Sequence, residues 1–167
     1  KLGYVPQRAV IYSDTVKNNV TFGDNGKGEI SDEKVNEAIK VAQAEEFVSK
    51  MENGTDTVMS RGGTNVSGGQ KQRLSIARAI ARDPEIYIFD DTFSALDYKT
   101  DSILRKELKK HTKDATVLIV AQRIGTVMNA DKIIVLEDGK IVGMGKHEEL
   151  LENCEVYKQI ALSQLSK

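Results

Sequence analysis

Three groups of residues in this chain have the types and spacing to do chemistry: Ser67-Gly68-Gly69-Gln70, Asp90-Asp91, and Ser94-Ala95-Leu96-Asp97. Two glycines carry no side chain to block approach, so the backbone N–H groups at Ser67, Gly68 and Gly69 can reach a surface bare. A helical run follows at once, and its unpaired N–H groups and positive dipole end point the same way. Such a turn suits an anion, a phosphate foremost. Residues 86–89 (Ile-Tyr-Ile-Phe) form an apolar run of strand length, expected to be buried on both faces of a parallel sheet. Ending that strand in Asp90 sets a carboxylate at the carboxyl end of the sheet, where open α/β sheets bind ligands. An acid there can hold Mg²⁺ through water.

These groups need elements to position them, and the pattern of the chain supplies candidates. The segment 1–7 reads as a strand entering a loop at Gln7. Ser31 caps a helix with Asp32 and Glu33 in its first turn, and Val35, Ala38, Ile39 and Ala42 line one face. A short helix holds Phe47, Val48 and Met51 and ends at Asn53-Gly54. Residues 71–82 form a helix, with Arg73, Arg78 and Arg82 expected outward, solvated or salt-bridged. Asp83-Pro84 stops it, because proline disfavours helix at the residue before it. A helix follows from Tyr98, amphipathic through Ile103, Leu104 and Leu108. Thr116 to Val120 reads as a second buried strand, ending near Gln122. Residues 132–136 and 140–144 form a hairpin around Asp138-Gly139. Closing helices begin at His147, with Val156, Ile160, Leu162 and Leu165 as their packing residues. His147 and His111 have no metal-ligand spacing and read as surface or capping residues.

In this order and spacing, Ser67 to Gln70 resembles the signature motif of ATP-binding-cassette (ABC) nucleotide-binding domains. Residues 86–90 resemble their Walker B strand and Ser94 to Asp97 their D-loop, and the resemblance covers the whole chain. It implies an α/β fold: a parallel-sheet core of the P-loop NTPase type with an inserted helical subdomain. The subdomain would cover 24–83, and 1–23 with 84–167 would belong to the ATPase core. No Gly-x-x-x-x-Gly-Lys-Ser/Thr phosphate loop occurs. The expectation is therefore the C-terminal part of such a domain without its phosphate-loop strand, inactive when isolated.

The resemblance also implies roles. Asp90 would hold Mg²⁺, and Gln7, at the Q-loop position, would touch the metal and the attacking water. Ser67, Gly68, Gly69 and Gln70 would bind ATP held by a second nucleotide-binding domain, with Ser94 and Asp97 lining the shared interface. Residues 11–22 resemble the exporter segment that faces membrane domains, so transmembrane domains are expected as partners, on the cytoplasmic side of a membrane. Two positions depart from the pattern. Asp91 stands where a catalytic glutamate is expected, and Gln122 stands where a histidine is expected. With an intact signature, this combination resembles the degenerate member of a heterodimeric exporter. A soluble ABC protein acting on ribosomes or chromosomes is the alternative.

Composition agrees with a single ordinary domain: 167 residues, 40% hydrophobic, net charge -1. No basic face stands out, so nucleic acid is not an expected partner. The single Cys154 argues against a disulfide framework and fits a reducing compartment.

Overall fold

The computed structural model describes residues 1–165, excepting the side chain of Leu165, which as an expected packing residue lies outside the description. The chain forms two compact units, Lys1–Val120 and Ala121–Lys167.

The first unit holds β1 (Leu2–Val5), α1 (Val16–Thr21), α2 (Asp32–Val41), α3 (Glu45–Ser49), α4 (Gly68–Ala81), β2 (Ile86–Asp90), α5 (Tyr98–His111) and β3 (Thr116–Val120). The three strands make a parallel sheet in the order β1-β2-β3. Capping sets the helix starts. Thr15 accepts from the Asn18 N–H at α1, and Ser31 accepts from the Lys34 N–H at α2. Val35, Ala38, Ile39 and Ala42 are all buried, as their spacing requires. They share one core with Val5, Leu74, Ile76, Tyr87 and Phe89, so helices and sheet are packed as one body.

Among the described residues, the sheet is covered on one face only. Val5, Tyr87 and Phe89 are buried on that face. Leu2, Tyr4, Ile86, Leu118 and Val120 project from the other and are 37–56% exposed. The expectation that 86–89 and Thr116–Val120 are enclosed on both sides is corrected accordingly. An apolar run reports strand and hydrophobicity, whereas enclosure needs a second packed layer. In α5, Leu104 and Leu108 face the core but Ile103 is exposed. Its place inside goes to Asp101, paired with Arg105 one turn on at 2.9 Å.

The second unit holds α6 (Ile124–Val127), β4 (Ile133–Glu137), β5 (Lys140–Gly145), α7 (His147–Asn153) and α8 (Glu155–Leu165). Strands β4 and β5 pair antiparallel through Asp138 (φ 48) and Gly139 (φ 74). Positive φ at both residues is what a tight two-residue hairpin turn demands. The core is Ile124, Ile133, Val135, Leu150, Cys154, Tyr157 and Ala161. Ile160 and Leu162, expected inside, are exposed. Tyr157 and Ala161, four residues apart, take the inner face, and the Tyr157 hydroxyl lies 2.8 Å from Nδ1 of His147. Among the described residues no helix is long and apolar enough to cross a membrane.

Candidate functional site

Helix α4 starts three residues earlier than its apolar spacing predicts, because Ser67 itself is the N-cap. The Ser67 Oγ accepts from the Gln70 N–H at 3.2 Å, and the Gln70 Oε1 accepts from the Ser67 N–H at 2.9 Å. This reciprocal box pins the turn. Ser67 spends its oxygen as an acceptor here, so its own O–H remains available to donate outward. The N–H groups of Gly68 and Gly69 belong to the first turn and have no intrahelical acceptor. Gly69 also makes a close approach. A Cβ there would stand 3.2 Å from the Ala95 carbonyl oxygen and 3.7 Å from Leu96. The helix start is thus packed directly on the 3-10 turn Thr92–Ala95, bringing the glycines and the Ser94–Asp97 stretch together.

Three arginines hold α4 in place; expected outward and solvated or salt-bridged, they bond instead to carbonyl oxygens. Arg73 donates to the Gln43 carbonyl at 2.6 Å and lies over the Phe47 ring. Arg78 donates to the Asn19 carbonyl at 2.6 Å, the Val10 carbonyl at 3.0 Å and the Asn19 side-chain oxygen at 3.2 Å. It also faces the rings of Tyr12 and Phe22, which stack with centroids 4.1 Å apart. Burial pulls the Arg78 guanidinium below its ordinary pKa. Arg82 donates to the Asp24 carbonyl at 2.7 Å. All three brace neighbouring segments by their carbonyl oxygens: Arg73 and Arg82 hold loops, and Arg78 holds α1 and the loop before it.

At the carboxyl end of β2 the two acids take different partners. Asp90 Oδ2 accepts from the Tyr4 hydroxyl at 3.0 Å. That hydrogen bond raises the Tyr4 phenol above its ordinary pKa. Asp91 turns away in a left-handed conformation, φ 42 and ψ 33. Aspartate tolerates this region better than most residues. Its Oδ2 accepts from Gln7 Nε2 at 3.0 Å. Its N–H is tied to the Val120 carbonyl at 2.9 Å. Gln7, assigned from the sequence to the metal and water, therefore stands on Asp91.

Ser94 Oγ donates to the Asp91 carbonyl at 2.8 Å. Asp97 caps α5 by accepting from the Thr100 N–H at 2.9 Å. Hydrogen bonds from Thr100, its side chain first and its backbone second, hold the Asp97 carboxyl below its ordinary range. Gln122 lies in the second unit, where its carbonyl accepts from Gln164 Nε2 at 2.8 Å and its side chain is exposed. The structure thus brings together Gln7, Asp90 and Asp91, and separately Ser67 to Gln70 with the Thr92–Ala95 turn.

The donor set suits Mg²⁺. Carboxylate oxygens are hard ligands, and Mg²⁺ keeps several waters, so one or two carboxylates suffice. Among the described residues no group of three or more His, Cys, Asp or Glu gathers as a metal cage. A metal at this end would rest on Asp90 or Asp91 and on ligand oxygens. Tyr4 was missed from the sequence, although alternation along β1 places it on the same sheet face as Ile88 and Asp90.

Acids at the carboxyl end of a parallel sheet and a serine-capped glycine turn thus share one compact α/β unit. Residues 1–94 match the protein family described as ABC transporter, and the chain belongs to that family. It is 44% identical over 167 residues to the uncharacterised ABC transporter ATP-binding protein YfiB of Bacillus subtilis, covering 100% of this chain and 28% of that protein. It is 42% identical over 164 residues to the ATP-dependent lipid A-core flippase of Francisella tularensis, covering 98% of this chain and 27% of that protein. Among solved structures, a bacterial Atm1-family ABC exporter with ATP bound superposes with a TM-score of 0.93 at 32% identity, covering 99% of this chain and 29% of that one. The fold is therefore that of an exporter nucleotide-binding domain, and the chain spans about 28% of the length of such relatives.

Proposed function

We propose that this chain is the ATP-binding and ATP-hydrolysing part of a membrane exporter, working at an interface between two nucleotide-binding domains. The observation that carries the reading is the Ser67-capped start of α4, which leaves a hydroxyl and two glycine N–H groups free to donate. Resemblance along the full chain to proteins named as ATP-binding or ATP-dependent supports it. The substrate is ATP with Mg²⁺. The partners are a second nucleotide-binding domain and transmembrane domains, which hold the chain on the cytoplasmic side. Residues 24–83 act as the arm that presents Ser67 to the partner's nucleotide.

In this reading the chain serves two half-sites unequally. As signature donor it is complete: the Ser67 hydroxyl and the Gly69 N–H donate to the terminal phosphate of ATP held by the partner, and Ser94 and Asp97 line the contact. As a catalytic half-site it is weak. Asp90 holds the metal and Gln7 reports on metal and water. Asp91 is one methylene short of the expected glutamate, and a base must lie within about 2.6–3.2 Å of the proton it takes. Gln122 can donate one amide hydrogen bond but cannot become a cation or relay a proton. Losing one such stabiliser costs about 10²–10³ in rate. The partner is accordingly a different domain with a complete catalytic half-site.

Two substitutions in the reconstituted, full-length heterodimer test this. Ser67→Arg is expected to abolish most ATP turnover, by blocking the partner's productive site. Asp91→Asn is expected to change turnover little. Equal losses from the two variants would refute the unequal division of labour.

A further inference from the structure

We propose that the Tyr4 hydroxyl orients Asp90 toward a nucleotide-bound divalent cation, making Tyr4 a positioning residue at the acid end of the sheet. The inference rests on the metal-holding role given to Asp90 above. Three observations carry it. Tyr4 is opposite Ile88 in the β1–β2 register, so it shares a face with Asp90 two residues further on. Its hydroxyl donates to Asp90 Oδ2 at 3.0 Å. Gln7, in the loop after β1, is engaged with Asp91 instead.

The geometry gives the hydroxyl a specific task. A carboxylate at a strand end rotates broadly about its last torsion when nothing holds it. A donor on Oδ2 selects one orientation and leaves Oδ1 free for a cation or a cation-bound water. Tyr4 can act as a fixed post because its own backbone is held. All four residues of β1 pair with β2, and a Cβ at the preceding Gly3 would stand 2.7 Å from Pro84, so the strand is packed closely against its neighbours. The ring is 52% exposed, so the bond is not buried framework whose loss would unfold the sheet.

Partners that orient a metal ligand typically contribute about 10–100-fold to metal affinity. A 3.0 Å bond is long for O–H···O. The expected effect is therefore at or below the bottom of that range, about three- to tenfold. The test uses the full-length transporter with Mn²⁺ as the probe and a non-hydrolysable ATP analogue. Free Mn²⁺ is counted by its paramagnetic resonance signal. Tyr4→Phe is expected to weaken Mn²⁺ binding about three- to tenfold, while analogue affinity without metal stays at the wild-type value. Asp90→Asn is expected to lose more, and Tyr4→Phe added to Asp90→Asn is expected to lose nothing further, because Tyr4 acts through Asp90. Wild-type Mn²⁺ affinity in Tyr4→Phe, with Asp90→Asn impaired, overturns the inference and leaves the proposed function standing. So does a Tyr4→Phe loss that persists in the Asp90→Asn background. Wild-type Mn²⁺ affinity in Asp90→Asn overturns the metal role of Asp90 itself.

Discussion

Arg78 is the most informative place to perturb this molecule. Its guanidinium makes hydrogen bonds of 2.6, 3.0 and 3.2 Å to Asn19 and Val10 and faces two stacked rings. Hydrogen bonds to charged groups contribute about 1.5–3 kcal/mol each, and a partly exposed cation–ring contact adds about 0.5–1 kcal/mol. The contacts share one side chain and do not add in full. Asn19 is nearly inaccessible and keeps further partners of its own. A loss of about 3–4 kcal/mol is expected for Arg78→Ala. Arg78→Lys keeps the charge but not the planar fork, and about half that loss is expected. The assay is equilibrium urea unfolding of the purified protein, read as a shift in midpoint. Because the partners are carbonyl oxygens rather than carboxylates, the losses should persist at about 0.5 M salt, where exposed ion pairs are screened. A loss below about 1 kcal/mol, equal losses for alanine and lysine, or a loss halved by salt would each refute the assignment of Arg78 as a carbonyl brace.

Two further predictions concern smaller features. Gly143→Ala would place a Cβ 2.7 Å from the Cys154 sulfur and 3.1 Å from Leu150. It should destabilise by about 1–3 kcal/mol in thermal unfolding, and adding Cys154→Ala should return more than half of that. Asp97→Ala removes the cap of α5. The folded-state carboxyl sits below its ordinary 3.8, so its stabilisation is full above that value and fades as pH falls through the lower folded-state value. The difference in unfolding midpoint between wild type and Asp97→Ala should therefore shrink in acid, and a constant difference would show that the charge plays no part.

What could be read from the sequence was whatever is written locally. Ser31 with its acidic first turn, the Val35–Ala38–Ile39–Ala42 stripe, Asp83-Pro84 and Asp138-Gly139 each act within a few residues, and each produced the expected element. The capping box at Ser67 is equally local, yet apolar spacing begins only after the glycines and so points to a later helix start. What stayed hidden depends on distant partners. Arg78 and its carbonyl acceptor on Asn19 are 59 residues apart, and nothing around either announces the other. The division of Asp90 to Tyr4 and Asp91 to Gln7 is of the same kind, set by register and by the left-handed turn at Asp91. In α8 the apolar residues run around the helix, so composition could not tell that Tyr157 and Ala161, rather than Ile160 and Leu162, would be chosen by their neighbours.

Helix α4 carries Ser67 at its tip and Arg78 eleven positions along, roughly 16 Å down its axis. Over three turns an unbroken helix behaves as a stiff lever. The aromatic stack of Tyr12 and Phe22, gripped by Arg78, sits partly in the open at one end of that lever. Force applied to the stack would arrive at the glycine turn as motion of the whole rod, with little dissipated in bending.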